Sequence, residues 1–539
     1  MVNRLQAVNV MDFTGGLNLY SDAAMLLENE VPELLNMEPL ARGGVRTRRG
    51  WQRWNPDPVP TTAWNPRAAY LHVSANGETC VLLANDTKLW CGDRGVFEQE
   101  GTVVADAKPH GADFVSWDDY VRIACGRDRP GVRYHPNSGA LLNLTPSGGA
   151  NWQNDYSQPG TGTNQPQAEI VAQHAGYLFV ANTKEAGTYY PTRIRWSHPN
   201  NPNAWAQTDY ADITEGGGYI TSITPFSDRL LIFKSDSLWA LFGYEAETWE
   251  FTNISRTIGA IHPQAITRSE STCWFLSWPQ GVFAYTDRGV QEISLNIRPV
   301  FIDNQIIRAS LDNVFLGWMN RRLWVSLPYL ADGGATDATS AFVFDFEVGQ
   351  GAWMQFRGAD GLAPGPYMER PVSDLDVPML AFSRAQKHAI QLDARENATD
   401  LVNGTGPQPF IPVIRTRWID AGAPTHRKSW RRPDFLVTAN QVETELQVQV
   451  FHNLDHVTPQ RAFTVSFTPA DTTPLWNHFN WNDGTVYRRG QPTTSIERGA
   501  TMGRAGAIQV RTTTAPATSL GKSWGFDGII TKFIPRRFR

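Results

Sequence analysis

The sequence has few cysteines, little lysine and no long apolar stretch. Its four cysteines, Cys80, Cys91, Cys125 and Cys273, form no C-x-x-C pair and are too few in 539 residues for a disulfide framework. Cys80 and Cys91 can meet across a hairpin, although most free cysteines are simply buried small apolar residues. The N-terminus lacks the apolar core of a signal peptide, and 18 apolar residues never run together. We therefore expect a soluble protein that is made and folded in a reducing, intracellular compartment.

Known catalytic and metal-binding motifs are also missing. The sequence has no G-x-x-x-x-G-K-[ST], H-E-x-x-H or G-x-S-x-G, and no Asp-rich calcium loop. The eleven histidines are scattered, and only His452 and His456 are four residues apart. On a strand-to-turn segment that spacing does not converge on a metal ion. We expect no enzyme, no cofactor and no metal site.

Glycine, proline and aromatic residues are abundant instead. The chain contains 45 Gly, 35 Pro, 20 Trp, 26 Phe and 15 Tyr, whereas long stretches with helical periodicity are absent. This composition is typical of many short strands joined by tight turns. One short helix is expected in "LLENEVPELLNM", where apolar residues recur at spacings of three and four and Pro32 limits the length. The predicted class is mostly β.

A module of about four short strands recurs between residues 67 and 357. Its copies begin near Tyr70, Phe114, Glu169, Ile220, Ala265 and Phe315, and turn sequences such as "SDR", "MNR" and "TDRG" separate the strands. A spacing of roughly 40–50 residues is typical of β-propeller blades. We predict a propeller-like domain of about six blades, with Met379–Asp393 supplying closing strands or part of a seventh. A large sandwich or jelly roll is the competing architecture.

Composition shifts divide the chain into three predicted parts. Residues 1–60 form an N-terminal arm and a proline-stiffened linker, and residues 61–395 form the propeller-like domain. Residues 396–539 follow a polar, Gly-rich boundary. Their stretch "QVETELQVQVFHN" alternates apolar and polar residues, as half-buried strands do. We therefore expect a separate C-terminal β-sandwich, or platform, domain.

Charge is distributed unevenly along the chain. From Phe410 to the C-terminus 17 Lys and Arg face 9 Asp and Glu, a net charge of +8, whereas the preceding residues carry 31 against 44. Nucleic-acid binding is one explanation of the basic clusters, and pairing with acidic surfaces of neighbouring subunits is the other. An acidic body with basic ends favours the second. The candidate interface residues are Arg42, Arg46, Arg48, Arg49, Trp51, Arg427, Lys428, Arg431, Arg432, Arg536, Arg537 and Arg539.

The stretch "RGGVRTRRGW" from Arg42 to Trp51 contains the first of these clusters. Gly43 and Gly44 indicate a turn, and Val45 and Thr47 indicate a short extended strand. Trp51 is expected to be an anchor at the entrance to the repeats.

Carboxylates for glycoside hydrolysis are hard to find in this sequence. Asp118 and Asp119 are neighbours in "SWDDY", and adjacent strand residues point to opposite faces. They are therefore a poor acid/base pair, and a turn is the favoured interpretation of "WDD" and of "NDG" in "NWNDGTVY". A carbohydrate-binding or glycosidase propeller remains the alternative function.

Both ends of the chain resemble structural tail proteins of double-stranded DNA bacteriophages. The opening "DFTGGLNLYSDAAMLLENEVPELLNMEPLARGGVRTRRGW" has an F-x-G-G-L-N start, an apolar and acidic middle and a Gly- and Arg-rich finish. The ending is similar in "RTRWIDAGAPTHRKSWRRPDF" and "SWGFDGIITKFIPRRFR". With the repetitive β middle, the organisation is similar to the tail nozzle family (tail tubular protein B) of short-tailed phages.

The resemblance implies a structural virion protein that forms a homo-oligomeric ring, usually of six subunits, at the distal end of the tail tube. It implies an adaptor protein on one side, docked fibres or spikes outside, and double-stranded DNA passing through without sequence-specific binding. The location is then the virion tail, after assembly in the bacterial cytoplasm. A tail-tip or connector protein of a long-tailed phage is a further alternative.

Overall fold

The computed structural model divides the chain into two compact units. The terminal unit, named for its two chain ends, consists of Met1–Gln52, Phe342–Gly361 and Leu392–Arg539, and the propeller unit consists of Arg53–Ala341 and Leu362–Gln391. The residues described are 5–61, 63–74, 77, 79–85, 88–93, 96–101, 112–146, 152, 164–303, 305–332, 337–368, 380–384, 386–395, 398–401, 406–422, 427–431, 433–439, 444–467, 494–498, 503–505, 507–514 and 523–535.

Short strands make up the N-terminal region. They are β1 (Gln6–Val10), β2 (Gly16–Leu17), β3 (Glu30–Val31), β4 (Glu33–Leu35), β5 (Met37–Pro39), β6 (Val45–Thr47) and β7 (Gly50–Arg53). The helix predicted around Pro32 is therefore wrong. Proline removes a helical hydrogen bond, and β3 instead pairs with β2 while β4 pairs with the distant residues Val413–Arg415. This strand pairing outweighs a weak local helical preference.

Five four-stranded antiparallel sheets follow one another in the propeller unit. The first sheet consists of β8 (Pro66–Val73), β9 (Thr79–Asn85), β10 (Lys88–Asp93) and β11 (Val96–Gly101), and the second of β12 (Asp113–Trp117), β13 (Tyr120–Ala124), β14 (Val132–His135) and β15 (Ala140–Asn143). After the short strands β16 (Thr145–Pro146) and β17 (Asn164–Gln165), the third consists of β18 (Gln167–His174), β19 (Tyr177–Glu185), β20 (Thr188–Trp196) and β21 (Tyr210–Asp212). The fourth consists of β22 (Ile220–Phe226), β23 (Arg229–Lys234), β24 (Leu238–Phe242) and β25 (Glu250–Ser255), and the fifth of β26 (Ile266–Arg268), β27 (Cys273–Ser277), β28 (Gly281–Thr286) and β29 (Gly289–Glu292). Each sheet coincides with one predicted module. We call them blades 1 to 5.

The remaining strands complete the propeller unit and return to the terminal unit. They are β30 (Phe315–Met319), β31 (Arg322–Leu327), β32 (Ser340–Asp345), β33 (Ala352–Phe356), β34 (Leu380–Phe382), β35 (Ala389–Arg395), β36 (Thr399–Asp400), β37 (Gln408–Pro409), β38 (Val413–Arg415), β39 (Lys428–Trp430), β40 (Asp434–Ala439), β41 (Thr444–His452), β42 (Arg461–Phe467), β43 (Thr494–Arg498), β44 (Gly503–Ala505), β45 (Ile508–Thr514) and β46 (Trp524–Pro535). The helices are α1 (Pro299–Ile302) and 3-10 turns at Pro136–Ser138, Ala246–Thr248, Pro263–Ala265, Leu295–Ile297, Arg308–Asn313 and Leu330–Asp332.

Apolar clusters lie between successive blades, as the radial packing of a propeller requires. Blades 1 and 2 share a cluster that includes Leu82 and Ile123, and further clusters join blades 2 and 3, 3 and 4, and 4 and 5. Trp274 of β27 stacks on Trp318 of β30 at 4.2 Å between ring centres. The ring closes where Phe382 of β34 packs with Leu83 of blade 1. The predicted mostly β, propeller-like fold is confirmed.

The turn sequences work as predicted. Ser227 in "SDR" and Asn320 and Arg321 in "MNR" have φ angles between 49° and 57°, the left-handed conformation of tight hairpins. Asp118 in "WDD" has φ 50°, and its hairpin closes with Trp117 opposite Tyr120. The turn interpretation of Asp118 and Asp119 is therefore confirmed, whereas "NDG" lies outside the described residues.

The terminal unit mixes strands from both ends of the chain. In one sheet β46 pairs with β1, β6, β39 and β40, and in the other β38 lies between β4 and β45. The residues predicted to be an N-terminal arm thus form strands beside C-terminal ones. A sandwich built from residues 396–539 alone is not confirmed, because its strands need N-terminal partners to complete these sheets.

The cysteines fall into two groups. Cys80 of β9 and Cys91 of β10 are joined by a disulfide, whereas Cys125 and Cys273 are buried thiols. Within the portion of the chain that the structure describes, no helix has the length and apolarity to cross a membrane.

Candidate functional site

The first strands of blades 1 to 5, together with β30, line a cavity of about 370 Å³ in the propeller unit. Because one strand from each of the five blades borders it, this cavity lies at the centre of the propeller. Its lining includes apolar residues such as Ile223 and Leu316 and polar residues such as Asp113, Ser116 and Ser222. We call it the central cavity.

Alternate side chains of β12 point toward blade 1 and toward blade 3. The strand therefore places one polar side chain on each side, and both border the central cavity. Phe114 points toward blade 1, where its ring stacks on Tyr70 at 5.8 Å. Val115 points the other way and packs in the cluster shared with blade 3. Asp113 and Ser116 therefore face different neighbours, although both line the cavity.

Asp113 links blade 2 to blade 3 at the cavity wall. Its Oδ2 accepts a hydrogen bond from the Val171 N–H at 3.0 Å, and its Oδ1 accepts one from the Phe114 N–H at 3.1 Å. Burial raises the pKa of Asp113 to about 7, because desolvation outweighs the two backbone hydrogen bonds, which lower it. This carboxyl group therefore changes protonation near neutral pH.

Ser116 links blade 2 to blade 1 on the opposite side of β12. Its Oγ lies 2.8 Å from Nδ1 of His72 and 2.8 Å from the hydroxyl oxygen of Tyr70. The Ser116 N–H also donates to the Tyr70 hydroxyl oxygen at 3.0 Å. Burial lowers the pKa of His72, opposed by the negative charge of Asp119. The imidazole is therefore neutral at physiological pH.

The central cavity does not have the composition of a glycosidase site. Glycoside hydrolysis uses two carboxyl groups about 5–10 Å apart. Among the described residues that line the cavity, Asp113 is the single carboxylic acid. No group of three or more His, Cys, Asp or Glu side chains that could hold a metal ion occurs in the described ranges.

The predicted arginine stretch lies in the terminal unit. Gly43 and Gly44 have φ angles of 85° and 74°, and β6 begins at Val45, so the predicted turn and strand are confirmed. Arg42 and Arg49 are exposed. Arg46 is about half exposed and forms an ion pair with Glu38 at 2.9 Å.

Arg48 is fully buried and bonded within the chain. Its guanidinium group forms two hydrogen bonds with the Asp400 carboxylate, at 2.7 and 3.0 Å. The remaining donors bond Asn36 Oδ1 and the carbonyl oxygens of Arg49 and Arg357. All five N–H groups of the guanidinium are therefore used, and none is left for a neighbouring subunit.

Aromatic rings enclose the Arg48 guanidinium group. Its central carbon lies 4.1 Å from the ring centre of Trp51 and 3.7 Å from that of Phe410. The Trp51 N–H of the backbone donates to Asp400 at 2.8 Å. Trp51 therefore packs against an arginine of the terminal unit, and its role as an anchor at the entrance to the repeats stays a prediction.

The second basic cluster divides into exposed and buried residues. Arg427 and Arg431 are exposed, whereas Lys428 is buried in β39 with its Nζ 6.0 Å from the Phe533 ring centre. The two clusters are not brought together. Arg46 lies opposite Gly525 near the start of β46 and Lys428 opposite its last residue, roughly 30 Å apart along the strand. Arg432, Arg536, Arg537 and Arg539 lie outside the described residues.

A third group of arginines, in blade 3, was not among the predicted site residues. Planar groups stack in the order Tyr190, Arg193, Tyr210, Arg195 and Trp152, with distances of 3.7, 3.9, 4.8 and 4.2 Å between guanidinium carbons and ring centres. The alternation of "RIRW" places Arg193 and Arg195 on one face of β20, and this pattern could have indicated the cluster. The sequence did not reveal its acidic partner.

Glu185 is that partner. It forms ion pairs with Arg195 at 2.6 Å and with Arg193 at 3.1 Å, and Arg193 also binds Asp212 at 2.7 Å. Burial would raise the pKa of Glu185, but the two arginines lower it below its ordinary value. The cluster is therefore an internally neutralised network along the blade edge.

No family model matches the chain, and no curated protein matches it. Among solved structures, a streptogramin B lyase structure is similar over 64% of this chain and 98% of that chain, with 12% identity and a TM-score of 0.41. The structure of U3-55K covers 62% of this chain and 97% of that chain, with 7% identity and a TM-score of 0.38. At such TM-scores neither likeness adds to the fold that the sheet topology defines.

Proposed function

We propose that this chain is a structural subunit of a double-stranded DNA bacteriophage virion, a tail nozzle that assembles as a homo-oligomeric ring, with six copies as the expected number. The proposal rests on which segments of the chain make up the terminal unit. The opening and closing segments that resemble phage tail proteins fold there as neighbouring strands. The two segments that resemble phage tail proteins are therefore parts of the same unit.

Ion pairs between the two ends support this interpretation. Glu33 in β4 binds Arg415 of β38 at 3.0 Å and Arg511 of β45 at 2.9 Å. These contacts join residues that are hundreds of positions apart in sequence, so they add to the strand pairing that holds the two ends together. Ends joined in this way suit a subunit that must keep its shape while DNA moves past it.

Exposed arginines supply the proposed contacts between subunits. All donors of Arg48 are bonded inside the terminal unit, and Arg46 is paired with Glu38. Arg42 and Arg49 therefore remain from the first cluster, and Arg427 and Arg431 from the second. Residues before Phe410 carry a net charge of −13, and arginine pairs well with carboxylates across an interface. The acidic body also suits a conduit that must not retain DNA through phosphate contacts.

In this proposal the protein has no enzymatic role in assembly. Its partners are further copies of itself, a tail adaptor protein, and fibres or spikes, and it conducts DNA without reading its sequence. It is located in the virion tail after assembly in the host cytoplasm.

The test measures assembly of the full chain. The wild-type protein should sediment at a mass several times the 60.2 kDa of one chain and appear as rings in negative-stain micrographs. Replacing Arg42 and Arg49 with Glu should lower the association constant at least about tenfold, because two attractive contacts become repulsive. Immunogold labelling of virions should mark the tail.

A control variant separates interface contacts from general charge. Arg256 and Arg308 are exposed on the propeller unit, and changing both to Glu gives the same change in net charge. This control should assemble like the wild type. The proposal is contradicted if the wild-type protein stays monomeric at every concentration. It is also contradicted if the Arg42 and Arg49 variant assembles normally but loses salt-dependent DNA binding.

A further inference from the structure

The hydroxyl group of Ser116 has the surroundings of an activated nucleophile. It lies within hydrogen-bond distance of an imidazole nitrogen of His72 and of the Tyr70 hydroxyl, each at 2.8 Å, and it borders the central cavity. This is the distance at which a general base accepts the proton of a serine. The inference that follows is independent of the proposed virion role.

His72 is suited to act as that base. Its side chain is fully buried, and a neutral imidazole accepts a proton at Nδ1 when Nε2 carries the hydrogen. Nε2 has no hydrogen-bond partner among the described residues, so the contact of Nδ1 with Ser116 Oγ is the one that orients the ring. Burial and the neighbouring His135 lower the pKa of His72, and the carboxylate of Asp119 opposes this shift, so Asp119 offsets part of the cost of forming the imidazolium after proton transfer.

Tyr70 completes the group. Its hydroxyl oxygen accepts the Ser116 N–H at 3.0 Å and lies 2.8 Å from Ser116 Oγ. A Tyr70 O–H that donates to Ser116 Oγ stabilises negative charge on the serine oxygen. Tyr70 itself is fixed by stacking on Phe114.

The central cavity provides space for a small substrate. Its 370 Å³ exceeds the volume of a short ester, and its lining includes the exposed residues Gln173 and Arg268, so it reaches solvent on that side. Apolar groups such as Ile223 and Leu316 line the interior and suit the carbon chain of an acyl group.

We propose that Ser116, with His72 as general base, is a nucleophile for small carboxylic esters that enter the central cavity. Ser116 Oγ attacks the carbonyl carbon while its proton moves to Nδ1 of His72. The ester C–O bond then breaks, and the alcohol leaves with the proton from His72. A water molecule, deprotonated by His72, attacks the acyl-serine, releases the carboxylic acid and restores the Ser116 hydroxyl.

A fluorophosphonate probe tests the nucleophile directly on the folded full chain. Ser116 Oγ should form a bond to phosphorus with loss of fluoride, and peptide mass spectrometry should locate the label at Ser116. Ser116→Ala should abolish labelling, and His72→Gln should slow it by about 100-fold, the scale of a lost general base. Ser222→Ala removes another buried serine of the same cavity and should label like the wild type.

A second measurement covers the case in which the His72 variant fails to fold. The thiol of Ser116→Cys is deprotonated by the same base, so iodoacetamide should alkylate it at least about ten times faster than the thiol of Ser222→Cys. Circular dichroism confirms that each cysteine variant is folded. Wild-type protein that stays unlabelled, a label that persists in Ser116→Ala, or equal alkylation rates would each overturn the inference and leave the hydrogen bonds with a structural role.

Discussion

At the scale of single residues, burial separates arginines that look alike in sequence. Arg48 and Arg49 are neighbours, yet one is enclosed by Trp51 and Phe410 and the other is exposed. A buried guanidinium group is tolerated only when every donor is bonded and its charge is matched. Asp400 supplies that charge from a position 352 residues away.

Replacing Arg48 with Ala should therefore destabilise the protein strongly. The change leaves the Asp400 carboxylate buried with two backbone donors and no cation, and breaking a buried ion pair on one side costs about 3–5 kcal/mol. Urea denaturation followed by tryptophan fluorescence measures the loss. The matched variant Arg49→Ala removes an exposed side chain and should change the free energy of unfolding by less than about 0.5 kcal/mol. Equal effects of the two variants would contradict this assignment.

Asp113 should make stability depend on pH. Its pKa is about 7 in the folded protein and about 3.9 in an unfolded chain. The unfolded state therefore releases this proton first as pH rises, so the contribution of Asp113 is most favourable below about pH 4 and declines until about pH 7. The wild-type carboxylate then carries a constant penalty at higher pH.

The variant Asp113→Asn cannot ionise at this position. The difference in Tm, variant minus wild type, should rise between about pH 4 and pH 7 and stay constant above that range. Thermal unfolding in a pH series measures it, and Asp118→Asn, an exposed turn residue, is the control. A difference that is flat across the range would show that Asp113 ionises in the folded state with an ordinary pKa. A difference that falls with pH would also contradict a raised pKa.

At the scale of elements, blade 3 depends on charge pairing along β20 and β21. Two guanidinium groups share the Glu185 carboxylate, which is 7% exposed, whereas Asp212 is 34% exposed. Stacking with tyrosine and tryptophan holds the guanidinium planes in place. The edge of the blade is therefore stabilised by a network in which Glu185 is the central anion.

Glu185→Gln should weaken blade 3 by about 3–5 kcal/mol, because it leaves two adjacent buried cations with one fewer negative charge. Asp212→Asn should cost no more than about 1 kcal/mol, since a partly exposed pair is screened by solvent. Urea denaturation of both variants in low and high salt provides the comparison. The prediction fails if the two substitutions have the same cost.

Element positions in the propeller followed from local patterns. Five of the six predicted modules became four-stranded sheets, because their strands are adjacent in sequence and short turns join them. The sixth, which begins near Phe315, instead supplies β30 to β33 to a larger sheet. Ser227 and Asn320 lie in turns whose sequences already indicated a reversal. The region around Pro32 behaved differently, since its partners β2 and β38 lie elsewhere in the chain. Its apolar spacing fitted a helix, but long-range pairing made it two strands.

At the scale of the whole molecule, neither of the two units is a continuous segment of the chain. The terminal unit gathers three separate stretches, and the propeller unit gathers two. Beta sheets permit this because a strand needs a partner in space and not in sequence. The described residues from 5 to 52 therefore supply strands to several sheets, and the turn at Gly43 and Gly44 directly precedes one of these strands, β6.

The sequence by itself determined the β class, the repeating modules, their turns and the uneven charge, because these depend on composition and on contacts between near neighbours. Tertiary structure alone decided which polar groups meet. Arg48 forms an ion pair with Asp400, Glu185 binds two arginines, and Ser116 of blade 2 lies within hydrogen-bond distance of His72 of blade 1. These contacts depend on which strands are neighbours and on which side chains are buried. A single sequence specifies neither until the sheets have formed.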